Sequence, residues 1–128
     1  MKKILFLSIV TILFSCSSDD DKNNNKNQIT PPAWIQGTWD NSNGVAYKFK
    51  SNDFCTMILN FENCTAATIE LSSTGGFTTN VEQTITDTEY KLSYTVANST
   101  VTYRFIKISA TKIKDVSVSD DGAILTKQ

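Results

Sequence analysis

The chain has 128 residues, 12 of them basic and 13 acidic, and it contains no histidine. That length holds one domain, and its dispersed, nearly balanced charge lacks the clustered Lys and Arg on which nucleic-acid binding rests. The missing imidazole excludes Ser-His-Asp and Cys-His catalysis, histidine metal ligands and imidazole pH sensing together.

Met1–Lys3 forms a short basic start, and Ile4 to Phe14 is an apolar run interrupted only by Ser8 and Thr11. The run is about eleven residues long, whereas a helix spanning a bilayer needs roughly 20. Basic start, short apolar core and a small residue before the break describe an export signal over residues 1–15. Its removal takes Lys2 and Lys3 away and leaves ten basic against thirteen acidic residues, a net charge of about −3. From Ser17 to Gln28 there is no apolar residue. Residues 16–30 are therefore expected to be a disordered polar tether, because nothing in them can offset the entropy of ordering. Such a coil reaches on the order of 20 Å, and at most about 50 Å when extended.

Residues 31–128 read as an all-β domain. Period two recurs: Val45, Tyr47 and Phe49; Tyr90, Leu92, Tyr94 and Val96; Val101, Tyr103 and Phe105 each alternate with polar or small neighbours. Turn chemistry fills the gaps, as in Asn41-Ser42-Asn43-Gly44, Gly75-Gly76 and Asp120-Asp121-Gly122. Strands are predicted near 36–40, 45–51, 54–59, 67–72, 77–86, 89–97, 100–108, 111–116 and 123–126, and the link 60–66 has room for a helical turn. Short strands at this spacing point to a single antiparallel meander, with a β-sandwich as the alternative. In the seventh strand the apolar positions change from odd to even at Ile106 and Ile108, which predicts a bulge or a strand covered on both faces.

Two resemblances add to this reading. Leu13-Phe14-Ser15-Cys16 resembles the lipobox of bacterial lipoproteins. The resemblance implies that Cys16 is acylated and becomes the mature N-terminus, anchoring the chain in a membrane through more than one acyl chain. Asp19–Asp21 resemble the acidic signal that follows this cysteine in surface lipoproteins of the Bacteroidetes, and imply an outer-membrane protein facing the cell surface, with a periplasm-facing one as the alternative. Export and acylation of Cys16 would leave Cys55 and Cys64 as an even pair in an oxidising compartment. A structural disulfide is the expectation for them, and two buried free thiols the alternative. No metal site is expected, for want of further ligands.

Gly37-Thr38-Trp39, within PPAWIQGTWD, resembles the G-x-W signature on the first strand of lipocalins, and the whole stretch is similar to the start of small lipocalin-like lipoproteins of the Bacteroidetes. The resemblance implies an up-and-down β-barrel of about eight strands. In it Trp39 plugs one end, Gly37 lets the chain pass close by, and Arg104, the only arginine, is the candidate to stack on Trp39. Trp34, Trp39, Tyr47, Phe49, Tyr90, Tyr94, Tyr103 and Phe105 either line a ligand cavity or form an ordinary core. A barrel this small is just wide enough for side chains to fill, which favours the core.

Three functions compete. The first is a non-enzymatic, monomeric, lipid-anchored envelope protein that binds a protein or glycan through the barrel exterior or loops. The second is a carrier of a small apolar ligand inside the barrel. The third is a carboxylate enzyme using residues such as Asp40, Asp53, Glu62, Glu70 and Glu82, whose spacing brings no two together. The first is the expectation; no cofactor, catalytic residue or nucleic acid enters it.

Overall fold

Alternating side chains along short segments produce nine strands, seen in a computed structural model that describes residues 27–128. The apolar run Ile4 to Phe14, Cys16 and Asp19–Asp21 lie outside the described residues. The strands are β1 (Gly37–Asp40), β2 (Ala46–Phe49), β3 (Phe54–Ile58), β4 (Phe61–Cys64), β5 (Thr79–Ile85), β6 (Glu89–Val96), β7 (Ser99–Lys107), β8 (Lys112–Asp115) and β9 (Ala123–Lys127), with one helix, α1 (Thr65–Thr74), between β4 and β5. All pairings are antiparallel, in a single sheet ordered β4-β3-β2-β1-β9-β8-β7-β6-β5. The meander is interrupted once, where β9 returns to pair with β1 through Trp39–Lys127 and Asp40–Thr126. The sheet curls into a half-barrel, the all-β architecture that the alternation predicts.

The registers define two rims. The upper rim carries the turns β1–β2, β3–β4, β6–β7 and β8–β9, and the lower rim carries β2–β3, β5–β6 and β7–β8. The sheet's two edge strands are β4 and β5, and α1 links them while touching both β3 and β5.

Residues 60–72 depart from the expectation. The strand predicted at 67–72 is helix α1, and the link 60–66 holds β4 and the helix start instead of a helical turn. Threonine is a good strand former, yet this segment has to cross from the end of one edge strand to the start of the other. Thr68, Ser72 and Thr74 donate their hydroxyls to the carbonyls of Cys64, Thr68 and Glu70, so the helix satisfies them within itself. Asp53 Oδ1 accepts from the Ala66 amide at 2.9 Å and serves one of the unpaired N–H groups of the first turn.

β7 has neither a bulge nor double cover. Its register against β6 runs without a break from Val96–Ser99 to Glu89–Ile106, and Ile108 lies beyond the strand end, exposed. Residues 27–30, assigned to the tether by their polarity, run along β5. Ile29 is buried, Asn27 Nδ2 donates to Thr79 Oγ1 at 2.8 Å, and the Thr30 amide donates to Gln83 Oε1 at 2.9 Å. Ile29 supplies the apolar contact that the residues before it lack.

Candidate functional site

The side chains with the most surface to offer point into the curl. Phe49 and Phe105 meet edge to face with centroids 5.0 Å apart, Phe49 and Phe54 lie at 5.1 Å, Phe54 and Tyr103 at 4.7 Å, and Tyr47 and Phe105 at 5.3 Å. Tyr90 joins through Phe49 at 6.1 Å. Edge-to-face and tilted pairs at such spacing contribute about 0.5–1.5 kcal/mol each beyond their buried area. Ile29, Ile35, Ile69, Leu92, Ile113 and Leu125 complete a continuous core against which Tyr94 and Trp34 pack. Of the aromatics expected inside, the structure brings Tyr47, Phe49, Tyr90, Tyr103 and Phe105 into one cluster. The cluster also contains Phe54, which stands outside the clear alternation and for that reason escaped notice. The interior is filled by rings in contact.

Polar tips inside the curl have named partners. Tyr47 Oη donates to Asp115 Oδ2 at 2.8 Å. Asp115 Oδ1 accepts from the Ser117 amide at 2.9 Å and from the Ser117 hydroxyl. Tyr90 Oη donates to Gln83 Oε1 at 2.9 Å, and Gln83 Nε2 donates to the Gln28 carbonyl at 3.0 Å. One glutamine thus joins the core to the N-terminal segment. Burial pushes the Tyr47 phenol well above the usual tyrosine range, helped by the Asp115 carboxylate, and burial does the same to Tyr90.

Trp39 is fully buried and donates its Nε1 to the Ile35 carbonyl at 2.6 Å. The cation over its ring is Lys127, with Nζ 5.4 Å from the centroid. The expectation for Arg104 does not hold. Phe105 faces inward on β7, so its neighbour Arg104 faces outward, where Nε donates to Glu89 Oε1 at 2.8 Å and Nη2 to Glu89 Oε2 at 3.3 Å. Gly37 has φ +126°, and a Cβ there would lie 2.7 Å from Lys127 Cε. The close approach is that of the lysine stem, on its way to the tryptophan. A second cation, Lys107, sits over Trp34 at 5.8 Å on the lower rim.

Cys55 and Cys64 face each other in register on β3 and β4 and are joined, with S–S 2.05 Å. Asp53 brings a carboxylate within 4.8 Å of both sulfurs. The trio is no thiolate metal site, because the sulfurs are bonded to each other and Asp53 Oδ1 is occupied by the Phe54 and Ala66 amides. The remaining carboxylates are dispersed. Glu62 takes both Lys48 and Lys50, which hold its carboxyl down at about 2. Asp40 takes the Gln128 amide, and Glu82 takes the Asn80 amide.

The exterior differs from the interior. On the outer face of β5, β6 and β7, Ser93 pairs with Thr102 and Thr95 with Thr100, hydroxyl to hydroxyl at 2.8 Å. Beside them an open depression of ≈ 190 Å³ is lined by Glu82, Gln83, Thr84, Lys91 and Ser93. Its chemistry is polar, with donors, acceptors and one charge of each sign. Glu82, Thr84, Lys91 and Ser93 share the outer face through strand register, Glu82 opposite Ser93 and Thr84 opposite Lys91, whereas Gln83 between them points inward to Tyr90. No protein-family profile, curated protein or solved structure matches the chain.

Proposed function

We propose that this chain is a lipid-anchored protein of the bacterial cell envelope, displayed on the cell surface, that performs no catalysis and binds a protein or glycan partner through the outside of its half-barrel. The observation that carries this reading is the filled interior. Rings from β2, β3, β6 and β7 occupy the space in which a carrier would hold an apolar ligand. The hydroxyl-lined face of β5–β7, with Glu82 and Lys91 at its depression, supplies donors and acceptors suited to sugar hydroxyls or a polar protein surface. The anchor rests on the lipobox-like Leu13-Phe14-Ser15-Cys16, and surface display on Asp19–Asp21.

Three measurements test it. Titration with an apolar fluorescent probe is expected to give no saturable one-to-one binding, and such binding, abolished by enlarging Tyr103 to tryptophan, would establish the carrier instead. Cys16→Ala is expected to eliminate fatty-acid labelling. Alanines at Asp19–Asp21 are expected to protect the domain from protease added to whole cells; unchanged cleavage rejects the display signal.

A further inference from the structure

The chain outside the described residues joins the fold at a defined place. Asn27 bonds to Thr79, the first residue of β5, and Thr79 pairs with Val96 beside the β6–β7 turn. The 26 residues before Asn27 therefore arrive at the upper rim. The same rim carries the most exposed apolar side chains among the described residues. They are Ile58, Leu59 and Phe61 on the β3–β4 turn, Leu71 near the end of α1, Phe77 after it, and Val118 in the β8–β9 link; Leu59 is 89% exposed, Phe61 78% and Val118 100%. The lower rim has Ile85 and Ile108, both about half exposed.

We propose that the upper rim is a membrane-apposed surface, seated in the headgroup layer of the bilayer that holds the anchor. The inference deepens the lipid-anchored reading and rests on it for the identity of that membrane. Leu59 adds an independent observation. It sits in the left-handed region at φ 49°, followed by Asn60 at φ 69°, a turn position that favours Asn, Asp or Gly. A leucine held there while nearly all its surface meets water gains nothing for the fold, so its apolar side chain points to a use outside it. The turn is stiffened by the Cys55–Cys64 bridge, and Lys48 and Lys50 neutralise Glu62 beside Phe61. The apolar groups project from separate turns, a distribution that suits a deformable lipid interface better than a rigid cleft. Asp120 and Asp121, in the link that carries Val118, keep the insertion shallow, within the roughly 5–10 Å of the headgroup–acyl boundary. They also favour neutral over anionic lipid.

The test uses the full mature protein, acylation confirmed by its mass, reconstituted into phosphatidylcholine vesicles with brominated acyl chains. Tryptophan is introduced by Leu59→Trp at the upper rim and, separately, by Ile108→Trp at the lower rim, with Trp34 and Trp39 of the parent as baseline. The Leu59→Trp emission is expected to shift to the blue and lose roughly half its intensity to the bromines, as a residue at the headgroup–acyl boundary should; the Ile108→Trp emission stays unchanged. Quenching at neither position, or equally at both, overturns the proposal and leaves the rim to a protein partner. A mass without acyl groups rejects the anchor alone. In that event the same vesicles added to the unacylated chain still decide the rim: quenching at Leu59→Trp supports it, and its absence overturns it.

Discussion

The Tyr47 hydroxyl on β2 donates to the Asp115 carboxylate on β8 at 2.8 Å, joining strands 68 residues apart across the inside of the curl. Tyr47→Phe keeps the ring contacts with Phe54 and Phe105 and removes only this donor. Asp115 retains Ser117, so stability is expected to fall by about 1–2 kcal/mol. Urea unfolding with an unchanged m-value would report it; no change would mean that water replaces the phenol without loss.

All four tyrosines, Tyr47, Tyr90, Tyr94 and Tyr103, have raised pKa values, with burial the largest cause in each. The folded chain keeps these protons at pH values where the unfolded chain releases them. Their contribution to stability is whole below about pH 10 and is lost as pH rises toward the folded values. Phenolate absorbance is expected to stay low past that point and then to rise together with loss of the β-sheet circular dichroism signal. Ionisation of the tyrosines near pH 10 with the sheet intact would contradict the buried placement.

Leu59→Asn is expected to stabilise the domain by about 0.5–1 kcal/mol, because asparagine tolerates the left-handed conformation that leucine resists. Thermal unfolding measures this, and the same variant should weaken vesicle association. A gain in stability without loss of association would separate the strain from the proposed use.

Replacing both Cys55 and Cys64 by alanine removes a bridge between residues nine apart in sequence and should cost roughly 2–3 kcal/mol. Reductant should reproduce most of the loss in the parent and none in the variant. Equal midpoints with and without reductant would show that the hairpin register persists without the bond.

Arg104→Ala removes an exposed pair with Glu89 and should leave the unfolding midpoint almost unchanged. Gly37→Ala should cost more, about 1–3 kcal/mol, since φ +126° is closed to alanine and the new methyl meets the Lys127 stem. The reverse order would restore Arg104 to the tryptophan and displace Lys127.

Local alternation made most of the sheet legible. A period of two assigns each side chain to a face, so Tyr90, Leu92, Tyr103 and Phe105 could be placed inward from sequence, and the position of Arg104 beside Phe105 already implied that it faces out. Composition around Thr65–Thr74 misled, because threonine favours strands until a connection between two sheet edges requires a helix. Phe54 and Lys127 lie at strand ends, where one or two residues carry no period.

Sequence by itself determined the all-β class, the turns and the alternation of faces, all of which depend on residues within one or two pleats of each other. Tertiary structure alone decided that β9 closes on β1, that six rings leave the curl filled, that Lys127 reaches Trp39, and that the N-terminal chain leaves beside the apolar turns. These depend on strand register and on the summed volume of side chains from distant segments. No local pattern encodes either one.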